Sequence, residues 1–169
     1  MKYIIYIGYI SIKNVFYLLS ILYLLSIVFC FINTMIHRII YTNFYNNYIK
    51  QFINIINIYH EGTHALMCYV FLHNIIDISI FKDPHVNHTY STKNYYQMAG
   101  NFFISISPFL GILFLYIFFH KIPFIDYVFA FLFCTFSAPS WVDLKISLKS
   151  IFCSFLLLTI IFFGYYMIF

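Results

Sequence analysis

The sequence predicts an all-α fold: a polytopic membrane helix bundle of about five transmembrane helices, with a short strand in the 74–97 loop. Three observations predict it. Of 169 residues, 63% are hydrophobic and only 8% charged, against about 25% charged in an ordinary soluble domain. The apolar residues fall into successive runs near the roughly 20 residues that cross a bilayer. Backbone groups in hydrocarbon must bond within their own segment, so such runs must be helical, whatever their strand propensity in water.

The first run spans about 15–36. Lys2 and Lys13 precede it, but it is too long for a signal-peptide core and no small-residue cleavage site follows, so a retained first helix is expected. A polar stretch with His37, Arg38, Asn43 and Lys50 leads to the second run, 52–72. The loop 74–97 follows. In it Ile76, Ile78 and Ile80 alternate with Asp77 and Ser79, the period of a half-buried strand. An ordinary loop in an isoleucine-rich chain explains the same letters equally well. The third run is 98–119. The fourth is 124–136 and continues into the Ser137–Lys145 stretch, SAPSWVDLK; the fifth is 151–169. Gly100, Pro108 and Gly111 in the third run read as residues that membrane helices tolerate. With a cytoplasmic N-terminus, Lys2, Lys13, Lys82, Lys93, Lys145 and Lys149 lie inside and Arg38, Lys50 and Lys121 outside, an asymmetry that favours that orientation.

The net charge is +4 and the nine Lys and Arg residues are dispersed between apolar runs. Nucleic-acid binding would need a basic face, so no nucleic-acid partner is expected; the lipid bilayer is. Cys30, Cys68, Cys134 and Cys153 all sit in apolar stretches without a CxxC pair, which reads as buried small hydrophobes.

The second run carries the chemistry. It contains His60-Glu61-Gly62-Thr63-His64. Residues four apart on a helix share a face, so both imidazoles can hold one Zn²⁺. Glu61, beside the first ligand, then reaches a metal-activated water as general base. The chain has one glutamate and seven histidines, so a chance match of HExxH is expected only about 0.002 times. An ionised Glu facing lipid also costs about 2.5 kcal/mol or more, so it persists where it faces a partner or a polar cavity. A polar patch that only pairs helices is the bland alternative.

A third ligand is needed. There is no second Glu, and the extended HExxHxxGxxH pattern fails at Met67 and Val70, so the ligand must be Asp or His. Asp143 is favoured, because Pro139 breaks the helix beside it and opens its backbone. Asp77 and Asp83 belong to the loop, and Asp126 lies near the other end of the fourth run. His85 and His88 are the rivals, while His73 is too near its own helix end.

HEGTH on one membrane helix and a downstream helix bearing an Asp resemble the site-2 protease family of intramembrane metalloproteases. The resemblance implies a catalytic core of three helices, here within about 52–150 of a single domain, 1–169. It implies Zn²⁺ on His60, His64 and Asp143, Glu61 as the catalytic residue, and membrane proteins or peptides as substrates. The family usually has Gly after its Asp and an Asn-containing, Pro-rich approach; this chain has Leu144 after Asp143 and Ser137-Ala138-Pro139 before it. The likeness is strong at HEGTH and partial at SAPSWVD. The competing expectation is a catalytically silent membrane protein that binds metal or a partner through the same residues.

Overall fold

The computed structural model describes residues 2–43, 47–80, 84–118 and 138–168. Among them are four helices and one two-stranded sheet: α1 (Lys2–Asn43), α2 (Asn47–Val70), β1 (Asn74–Ser79), β2 (His85–Thr89), α3 (Tyr95–Phe118) and α4 (Trp141–Ile168).

Two helices are long and apolar enough to cross a membrane: Tyr3–Ile36 within α1, and α4. At 1.5 Å per residue the 42 residues of α1 reach about 63 Å, twice the hydrocarbon thickness. The two helices carry many of their large apolar groups outward: Phe16, Leu24, Phe152 and Ile160 are all exposed. Small hydroxyl residues face inward instead. Ser11, Ser26, Ser147 and Ser154 are buried. Ser11 and Ser26 donate to the carbonyls of Ile7 and Leu22 one turn back, so neither leaves a polar atom unpaired. Ser154 Oγ donates across to the Ala99 carbonyl at 2.9 Å, which lets α4 approach α3 closely.

α3 is the central helix. From Ala99 to Phe109 nearly every side chain is buried, and Phe102, Ile106 and Phe109 join Val15, Leu19 and Leu22 of α1 in the main core. α2 packs on another face of α3 and runs antiparallel to it, with Tyr59 bonded to Pro108 and Tyr96 to the Val70 carbonyl.

Four expectations need correction. The first and last helices of five successive crossings would be parallel. Here Asn14 donates to Tyr166, and Asp143 lies within electrostatic reach of Cys30, so α1 and α4 are antiparallel. The five-span series is therefore not what these helices form. Its fourth span, 124–136, lies outside the described residues. α2 is less apolar than those two helices, because Asn54, Asn57, His60, Glu61 and His64 interrupt its run. Second, Lys145 and Lys149 sit at the opposite end of the α1–α4 pair from Lys2 and Lys13, so these four do not lie on one side as the sequence reading had them. Third, Asp143 does not end a fourth helix but belongs to the first turn of α4. Ser140 is the cap: its Oγ accepts from the Asp143 N–H at 3.1 Å, and Asp143 Oδ2 accepts from the Ser140 N–H at 2.8 Å. Ser140-x-x-Asp143 is a reciprocal helix start, and Pro139 stands just before it rather than kinking a continuous helix. Fourth, the strand exists but is not half-buried. β1 is exposed along almost its whole length, with Ile76 and Ile78 open on its surface, and among the described residues it pairs with β2 alone.

Candidate metal centre

The inward face of α2 repeats at Ile53, Ile56, half-buried His60, His64 and Cys68, with Glu61 buried beside it. This spacing of three and four residues turns the HEGTH segment toward α3 and the start of α4. His60 Nε2 and His64 Nε2 lie 3.0 Å apart. Asp143 Oδ2 stands 4.0 Å from the first and 3.8 Å from the second. Two tetrahedral nitrogen ligands on Zn²⁺, each about 2.0–2.1 Å from the ion, sit about 3.3 Å apart. The three donor atoms thus need shifts of only a few tenths of an ångström to share one ion, and the donor set of two imidazoles and a carboxylate suits zinc.

α3 supplies the outer support, through its proline. A residue at 108 with an N–H would bond the carbonyl four residues back; proline has none, so the Ile104 carbonyl is left free. His64 Nδ1 takes that carbonyl at 2.6 Å. A carbonyl only accepts, so Nδ1 carries the proton and the Nε2 lone pair faces the centre. Ser107 Oγ donates to the same carbonyl at 2.8 Å. Tyr59 Oη donates to the Pro108 carbonyl at 3.1 Å and ties the turn before His60 to the same place on α3. Pro108, read from the sequence as merely tolerated, orients the His64 ring. The sequence held the signal, since a proline inside a helix always frees the carbonyl four back, but not which helix would lie against it.

Asp143 has two duties. Its Oδ2 accepts from both the Ser140 N–H and, at 2.7 Å, the Ser140 hydroxyl. The cap fixes the carboxylate beside the histidines and also occupies the lone pairs of the oxygen nearest to them.

No family model, curated protein or solved structure matches the chain. The reading of the centre therefore rests on its geometry.

The other residues weighed from the sequence lie elsewhere. His85 Nε2 pairs with Asp77 Oδ2 across the hairpin at 3.2 Å. His88 Nδ1 meets His73 Nδ1 at 2.9 Å. Asp83, Asp126 and Cys134 lie outside the described residues. Cys30, Cys68 and Cys153 are free thiols, the first two buried. Burial pushes the His73 imidazole below its ordinary range. Burial first, and the adjoining His73 ring second, push His88 down to about 4, so both rings are neutral near pH 7.

Proposed function

We propose that the chain is a multi-pass, membrane-embedded zinc metalloprotease, similar in its catalytic residues to the site-2 protease family, that hydrolyses peptide bonds of membrane proteins or peptides. One observation carries the reading: His60 Nε2, His64 Nε2 and Asp143 Oδ2 converge, and Glu61, the chain's one glutamate and the residue after His60, is buried. His60, His64 and Asp143 are the metal ligands on this reading. A bound zinc ion supplies Lewis acidity toward the scissile carbonyl and toward water. Glu61 takes the proton of the attacking water on a carboxylate oxygen and delivers it to the departing amide nitrogen. The new C–O bond forms at the carbonyl carbon first, the C–N bond breaks once its nitrogen holds the proton, and the products are a carboxylate and an amine. The Ile104 carbonyl holds His64 in the required tautomer, and Ser140 holds Asp143. A peptide must be extended to be cut, and the two-stranded sheet packed against α2 is the element to which it would add as a further strand.

A second reading is a catalytically silent metal-binding or partner-binding membrane protein. The observation favouring it is that Asp143 Oδ2 is already bonded twice by Ser140. Glu61→Gln separates the two. On the protease reading, cleavage of fluorogenic transmembrane peptides by the detergent-purified chain falls about 10²–10⁴-fold while zinc content stays the same. Zinc bound equally by both forms, with no cleavage by the unaltered chain, supports the silent reading.

A further inference from the structure

We propose a second metal site at the foot of the hairpin, in which the Cys68 thiolate and the His73 and His88 imidazoles hold a borderline-soft transition-metal ion such as Zn²⁺. Each of the three residues offers one donor atom, and the three atoms lie within 4.8 Å of one another. None of them belongs to the HEGTH centre.

Two backbone devices bring them together. The first ends α2. The His73 N–H bonds the Cys68 carbonyl at 2.8 Å and the Leu72 N–H bonds the Tyr69 carbonyl at 3.2 Å, with Leu72 in the left-handed region at φ 58°. This paired closure turns the chain back over the last helical turn and sets His73 above Cys68. The second is the hairpin register. Asn74 faces Thr89 and Ile75 faces His88. One pair further on, position 73 faces position 90, and the His73 and Tyr90 rings stack at 5.1 Å. His88 then sits diagonal to His73 on the same face, within reach across the strands.

The hydrogen bonding fixes the donor of one ring. His73 Nε2 bonds the Gln97 carbonyl at 2.8 Å, so Nε2 carries the proton and the Nδ1 lone pair points at His88. A ligating histidine commonly has its other nitrogen held by a carbonyl in this way. Cys68 and His73 are buried. Gly100 makes room for the arrangement, because a Cβ there would come within 3.0 Å of His73 Nε2. A thiolate with two imidazoles selects ions of zinc's softness over magnesium or calcium, and three protein ligands leave one tetrahedral position open. The ion ties the last turn of α2 to β2 and anchors the hairpin beside the HEGTH centre. The proposal stands apart from the protease reading, since it uses no residue of that centre.

Cobalt substitution tests it, because a thiolate ligand gives Co²⁺ a near-ultraviolet charge-transfer band that His60, His64 and Asp143 cannot give. The full chain in detergent, stripped by chelator and titrated with Co²⁺, takes two equivalents and develops the band. Cys68→Ser takes one equivalent without the band. The double variant His60→Ala/His64→Ala takes one equivalent and keeps it. His88→Asn, on the half-buried strand, also abolishes the band and guards against a folding defect in Cys68→Ser. A chain without the band, or a band that survives in both Cys68→Ser and His88→Asn, overturns the proposal. A band without the second equivalent, unchanged in His60→Ala/His64→Ala, upholds it and removes the metal from the HEGTH centre instead.

Discussion

Two turns of the same helix gather, by different means, side chains that could hold a metal. In the middle of α2, His60 and His64 meet because a regular helix puts residues four apart on one face, 3.0 Å between their Nε2 atoms. At its end, Cys68 and His73 meet because the helix stops being regular, at a left-handed Leu72. The support differs too. The middle turn leans on α3 through a carbonyl that Pro108 sets free, whereas the end turn leans on β2 and on a space left by Gly100. Both turns take a tautomer-choosing carbonyl from α3, of Ile104 for His64 and of Gln97 for His73, but only the end turn also needs a space there, at Gly100.

Changes in α3 therefore separate the two turns. Pro108→Ala has the largest effect expected. The restored N–H competes for the Ile104 carbonyl, His64 loses its anchor, and zinc affinity at the HEGTH centre falls about 10–100-fold. Competition with a chelator measures it, and the end turn is untouched. Gly100→Ala does the reverse. The new methyl group would stand 2.5 Å from Phe71 Cβ, and the overpacking costs about 1–3 kcal/mol in denaturant titration. That loss falls on the end turn and the hairpin, read as faster amide exchange at residues 71–90, while HEGTH keeps its metal. The smallest effect is at Leu72. Leu72→Gly is more stable than Leu72→Ala by about 1 kcal/mol, because only glycine accepts the left-handed conformation without steric cost. Equal stabilities would remove the strained turn from the account.

The same contrast explains what could be read in the letters. HEGTH was legible because its spacing and its helix agree. α2 and α3 begin and end within a few residues of the predicted runs, since apolar patterning sets both. Asp143 was named on the wrong helix. The Ser140-x-x-Asp143 start signal was in the sequence, but the apolar run on either side of Pro139 outweighed it. The strand was legible from alternation, its exposure was not, and β2, as His-Val-Asn-His-Thr, has no apolar period at all. The Cys68 cluster was invisible. Its members are five and twenty residues apart, and only the left-handed turn and the hairpin register bring them together.

The central claim is that His60, His64 and Asp143 hold one ion. Elemental analysis of the detergent-purified chain tests it most directly, comparing the unaltered protein with His60→Ala, His64→Ala, Asp143→Asn and, as control, Asp77→Ala. Ser140 remains the cap of α4 in this variant and the asparagine side-chain oxygen can still accept from the Ser140 N–H, so the variant removes the carboxylate charge and not the helix start. The account predicts one fewer zinc per chain in the first two, weakened retention in Asp143→Asn against a chelator, and full zinc in Asp77→Ala. Equal zinc in the unaltered chain, His60→Ala and His64→Ala would contradict it.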